Sequence, residues 1–100
     1  VGELLGNPLA EKGSVLTGDD FNNYKNSGIY GVNVSNGQAI NLPSGAGLGT
    51  LIVFKSPNNS AIGGAPLVQI LVEYQAKFIF IRSLWVGVWS QWRKLECVSI

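Results

Sequence analysis

Alternation constrains this chain more than any other feature. After Leu67, the apolar residues Val68, Ile70, Val72, Tyr74 and Ala76 take every second position, with Gln69, Glu73 and Gln75 between them and Leu71 as the exception. A period of two sends successive side chains to opposite faces of an extended backbone, so the run reads as a half-buried strand. Gln75-Ala76-Lys77 then offers a turn into Phe78 to Leu84, whose aromatic and β-branched content makes the two runs one hairpin. Lys77 and Arg82 flank the Phe-Ile-Phe-Ile centre as charged guards against aggregation.

The same period recurs upstream. Tyr30, Val32 and Val34 share one face and Ile29, Gly31 and Asn33 the other, and Ser35-Asn36-Gly37 closes the strand. Ala39 to Leu42 reads as its short partner, ending at Pro43 because proline cannot donate to a ladder. Gly49 to Lys55, continuously apolar and β-branched, reads as an inner strand. The small, glycine-rich stretches Pro43 to Gly47 and Ser60 to Pro66 read as loops, and Ser56-Pro57-Asn58-Asn59 bounds the inner strand before the second. Thr17-Gly18-Asp19-Asp20 supplies capping oxygens to a short turn over Phe21 to Lys25, with Phe21 and Tyr24 packed on one side. Val1 to Thr17, broken by Gly2, Gly6, Pro8 and Gly13, reads as an extended lead-in with the texture of a linker. The expectation is an all-β fold: a small, sandwich-like antiparallel β-sheet domain over 18–100, behind an extended lead-in over 1–17.

Composition narrows the chemistry. With no histidine and the single Cys97, the chain has no internal disulfide, no Cys-based zinc site and no Ser-His-Asp or Cys-His machinery. Cys97 reads as a small apolar packing residue, and no cofactor is implied. Charged residues make up 13% and the net charge is +1, which gives no field to hold nucleic acid or an anionic membrane. The most apolar region, Leu67 to Trp89, is interrupted by Gln69, Glu73, Gln75, Lys77 and Arg82, so it does not cross a bilayer as a helix. Gly45 to Gly49 lacks the lysine of a phosphate-binding loop and leads into a strand. Asp19, Asp20 and Glu73 are the acids available for glycoside hydrolysis, but tandem aspartates before a turn read as caps, so no catalysis is expected. Asn33-Val34-Ser35 and Asn58-Asn59-Ser60 match the glycosylation pattern, a motif common by chance. The chain opens on Val1 and contains no methionine, so a piece of a longer polypeptide is expected.

Leu84 to Leu95 holds all three tryptophans. A functional reading makes Trp85, Trp89 or Trp92 a stacking surface for sugar rings, with Gln91, Arg93 and Glu96 meeting the hydroxyls. A structural reading makes Trp89 and Trp92 wedges of a small core. In an extended segment positions three apart face opposite ways, so one of that pair is expected to be accessible. Trp85, beside Arg82 and the Gly87 turn, is expected to be exposed. The candidate ligand-binding residues are Trp85, Arg82, Asn58, Asn59 and Gln91, with the Ile62-Gly63-Gly64 and Gly87 loops as further contacts.

Four motifs stand in order: Asp20-Phe21-Asn22-Asn23-Tyr24 before Gly28-Ile29-Tyr30, Leu42-Pro43 before Gly49 to Phe54, Gln69 to Tyr74, and Trp89-Ser90-Gln91-Trp92-Arg93-Lys94-Leu95. Together, over Asp19 to Leu95, they resemble the knob domains at the distal ends of bacteriophage tail fibres and R-type pyocin fibres. The resemblance implies a small antiparallel β knob behind a fibre linker, carried on a homotrimeric fibre of the virion. Its partner would be a bacterial surface receptor, a glycan ahead of a protein, with no nucleic acid and no membrane insertion. A fibre module that caps or trimerises the shaft without touching the receptor is the alternative. Gly31 departs from the family's pattern, which commonly has a second aromatic there, and the motifs mark scaffold, so no residue role carries over.

Overall fold

The computed structural model describes residues 11–34, 39–43, 46–56 and 66–100. They form one mixed sheet of seven strands. In chain order these are β1 (Glu11–Val15), β2 (Gly28–Asn33), β3 (Leu48–Lys55), β4 (Leu67–Glu73), β5 (Phe78–Trp85), β6 (Val88–Trp89) and β7 (Arg93–Glu96). The first five lie side by side in sequence order, and the outer edge of β5 carries both β6 and β7. β1 runs parallel to β2, and every other pair is antiparallel. The chain is thus the small all-β domain expected, with β3 as the inner strand and the β4–β5 hairpin in place.

Each strand presents alternate residues to an inner face that carries the core. Tyr30 and Val32 from β2, Leu51 and Val53 from β3, Leu71 from β4 and Phe80 from β5 are buried there. The layer above is irregular. It is built from the 3-10 turn Phe21–Asn23, the segment 39–43 and the indoles of Trp89 and Trp92. Asp20 caps that turn as expected, its Oδ1 accepting the Asn22 N–H at 2.8 Å. Phe21, 0% exposed, is the central plug, and full burial of such a ring contributes roughly 1.5–3 kcal/mol.

Four expectations are corrected. On β4 the alternation is real, but the buried side is Leu67, Gln69, Leu71 and Glu73, while Val68, Ile70 and Val72 lie half-buried on the outer face. The polar pair sits inside because each has fixed partners: Gln69 as described below, and Glu73, whose Oε1 accepts the N–H groups of Gln75 and Lys77 at 3.0 Å each and so pins the β4–β5 turn. The lead-in contains β1, because Val15 is buried and the strand lies along β2. Ile40 does not pair with β2. It bridges to Asp20, with the Phe21 N–H donating to the Ile40 carbonyl at 2.9 Å and the Ile40 N–H to the Asp19 carbonyl at 2.7 Å. Cys97 is exposed beyond β7, in a C-terminal stretch whose residues from Arg93 onward are all exposed. The Asn36-Gly37 turn and the loop over Ser60 lie outside the described residues.

Candidate functional site

Arg82 organises the side of the molecule where the tryptophans gather. It lies on the inner face of β5 and is 5% exposed, so the guard on the strand's surface is instead a buried cation. Its guanidinium sits 3.8 Å from the Trp89 ring centroid and 4.7 Å from that of Trp92. Both indoles face inward because the strand pairing slips. Leu84 faces Trp89 and Ile81 faces Arg93, and the Ser90 N–H donates to the Ser83 carbonyl at 2.8 Å, so two residues, Gln91 and Trp92, oppose Arg82. This β-bulge adds one residue and turns an odd spacing into a same-face pair, which overturns the expectation that Trp89 and Trp92 point apart.

A polar chain continues from the cation. Arg82 Nε donates to Gln69 Oε1 at 2.8 Å, and Gln69 Nε2 donates to the carbonyls of Phe21 and Tyr24 at 2.7 and 3.0 Å. Trp92 Nε1 donates to the Asn41 carbonyl at 2.8 Å, and Asn41 Nδ2 donates to Asp20 Oδ1 at 2.8 Å. Burial pulls Arg82 down to about 10, and the Asp20 carboxylate opposes the shift, which leaves the group charged at neutral pH. This network fastens the irregular layer to the sheet. It commits Arg82 Nε to Gln69, while the side chain also lines a shallow depression with Val68, Ile81, Ser83, Ser90 and Arg93.

The two aspartates are equally committed. The Tyr24 hydroxyl donates to Asp19 Oδ2 at 2.6 Å and the Leu16 N–H donates to the same atom at 2.8 Å, and both bonds lower the Asp19 pKa. The Asn41 amide, then the Asn22 N–H, lower that of Asp20. Burial, then Asp19, pushes Tyr24 up to about 12. Depressed carboxylates stabilise the fold above their unfolded pKa and lose that contribution as pH falls through the folded one. Urea stability should therefore hold from neutrality down to about pH 4 and fall below it. Asp19→Asn should flatten this acid limb. The raised Tyr24 acts in the opposite direction: its contribution is complete below about pH 10 and disappears as pH climbs towards 12.

The accessible chemistry lies at the β5–β6 end. A depression of about 200 Å³ is lined by Lys25, Lys55, Leu67, Leu84, Trp85, Val86 and Gly87. It is smaller than drug-sized pockets and suits one ring or one charged group of a longer ligand. Trp85 is 49% exposed, as its sequence context suggested. Lys25 follows the 3-10 turn and Lys55 ends β3. The Lys55 N–H donates to the Ser27 hydroxyl at 3.1 Å, which ties the two lysine-bearing segments together. No carboxylate stands among the lining residues to neutralise the two ammonium groups.

The hairpin tip is held at a cost. Val86 has φ 54° and Gly87 φ 73°, the two left-handed residues of a tight hairpin turn. Glycine takes that conformation freely, whereas a β-branched residue there is strained by roughly 1–2 kcal/mol. Asparagine or glycine at 86 would relieve it, yet an exposed valine beside Trp85 is what the turn displays. Strain of this kind gathers where a chain presents side chains to a ligand.

Of the expected binding residues, Trp85 lines the depression. Gln91 is exposed on the bulge but is not among the lining residues. Asn58 and Asn59, with the Ile62-Gly63-Gly64 loop, lie outside the described residues. Lys25 and Lys55 were missed, since nothing in their sequence spacing signals that they line one depression. Among the described residues no group of His, Cys, Asp or Glu could hold a metal ion. Compared with protein-family models, curated proteins and solved structures, the chain matches none.

Proposed function

We propose that this chain is the receptor-binding knob of a bacteriophage tail fibre or related contractile particle. In this reading it works as a homotrimer on the virion and docks on a bacterial surface glycan through the depression between Lys25, Lys55 and Trp85. The observation that carries the proposal is the half-exposed indole beside two ammonium groups on a strained, projecting turn. An indole face suits the C–H face of a sugar ring, and the ammonium groups suit a carboxylate or phosphate on it. The glycan is therefore an acidic one. The ordered motifs support the assignment from the side of the scaffold: Trp89 and Trp92 close the sheet, and Phe21 plugs it. Asp19, Asp20 and Glu73 all hold backbone N–H groups, which supports binding without catalysis.

A structural module that trimerises the fibre without touching the receptor is the second reading, favoured by the aliphatic outer face of the sheet. Adsorption separates the two. The folded protein alone, incubated with labelled bacterial cells and with immobilised acidic polysaccharides, should bind a subset of them. Trp85→Ala should raise the Kd about tenfold or more with an unchanged melting temperature. A folded oligomer that adsorbs to none of them supports the structural module, and equal binding by Trp85→Ala removes this site.

A further inference from the structure

The outer face of the sheet carries an ordered sequence of side chains that, among the described residues, belong to no part of the core cluster. The pairing register aligns Glu11, Ile29, Ile52, Ile70, Ile81 and Arg93 in one row across β1, β2, β3, β4, β5 and β7. One end is an anion, the other a cation, and four isoleucines lie between. Glu11 lines a trough with Ile29, Gly31 and Thr50, and Arg93, paired with Ile81, lines a second with Val68, Ile81, Arg82, Ser83 and Ser90, at the rim of this face. Five strand spacings of ~4.8 Å put the two ends ~24 Å apart, too far to meet within one chain.

The next row repeats the asymmetry in shape. It runs Ser14, Gly31, Thr50, Val72, Ile79 and Leu95. At the β1 end, Gly31 has no side chain, and a Cβ built there would meet only the Ser14 hydroxyl, at 3.4 Å; the trough there encloses about 380 Å³. At the β7 end Leu95 protrudes, 60% exposed. No charged residue falls on this face in β2, β3, β4 or β5. The face measures about 24 Å by 20 Å, on the order of 500 Å², at the upper end of the apolar patches that monomers expose.

We infer that copies of this chain associate through this outer face, with the β1 edge of one copy set against the β7 edge of the next. Glu11 then meets Arg93, Leu95 enters the trough over Gly31, and the isoleucine rows bury one another. A second copy is the occupant because the face supplies both halves of its own complement, in charge and in shape. Two copies face to face, or three around an axis ~7 Å from each sheet, bring the rows within reach of the ~10 Å spacing of packed sheets, whereas four would leave an open centre. For its copy number alone the inference rests on the trimeric reading above.

Light scattering after size exclusion tests it on the full chain. An assembly of two or three copies at micromolar concentration is expected. Ile52→Glu with Ile70→Glu should give a folded monomer by circular dichroism. Should that variant not fold, charge reversal carries the test: Glu11→Arg and Arg93→Glu should each weaken association about tenfold, and the two together should restore it. A wild-type monomer at ~100 µM, or a double reversal no tighter than the single ones, overturns the inference. A dimer keeps this interface and overturns the trimeric tip, and glycan adsorption by a monomer keeps the receptor site and overturns the interface.

Discussion

Arg82→Ala is expected to lower the free energy of unfolding by about 3–5 kcal/mol, the range for breaking a buried, partnered charge or emptying a core site. The substitution removes a buried side chain held between two indoles, where a desolvated cation–π contact contributes about 2 kcal/mol. It also leaves Gln69 Oε1 buried without its donor, a loss of about 1–3 kcal/mol. Arg82→Met separates these effects: the methionine keeps most of the volume between Trp89 and Trp92 but not the hydrogen bond, so its loss should stay at about 1–3 kcal/mol. Urea unfolding of both variants at equal protein concentration measures the difference. Equal stability of Arg82→Ala and wild type would mean that the guanidinium is not the fastening described.

Trp92→Ala should cost about 3–5 kcal/mol, a large part of the 5–15 kcal/mol typical of a domain this size. The indole packs edge-on to Phe21 with centroids 6.2 Å apart and donates to the Asn41 carbonyl. Its loss opens the irregular layer at its centre. Trp92→Phe keeps the ring contact and loses the donor, so it should cost about 1–2 kcal/mol. The loss at Trp85 falls elsewhere. That indole is half-exposed on the hairpin, so its truncation is read in adsorption and hardly in unfolding.

Strand positions were largely legible because a period of two is a local property, visible in Tyr30, Val32 and Val34 without knowledge of any neighbour. Which side of a strand is buried was not local. Gln69 and Glu73 look like surface residues until the carbonyls of Phe21 and Tyr24, and the N–H groups of the following turn, appear as their partners. The direction of Trp89 and Trp92 was illegible for a related reason. A bulge opposite Arg82 changes the parity of the strand, and only the pairing of β5 with β6 and β7 reveals it. Trp85 was read as exposed from the glycine turn beside it. Lys25 and Lys55 could not be joined to it, because their sharing of one depression depends on the Ser27 contact and on the register of β2 with β3.

The central claim is that Trp85, and neither of the other two indoles, meets the receptor. The three indole N–H signals of the nitrogen-15-labelled protein test it directly, assigned by single Trp→Phe variants and followed while an acidic bacterial polysaccharide retained in the adsorption assay is added. The account predicts that the Trp85 signal moves or broadens while those of Trp89 and Trp92, closed over Arg82, hold their positions. Shifts at Trp89 and Trp92 with Trp85 unmoved, or no polysaccharide that moves any of the three, would contradict it.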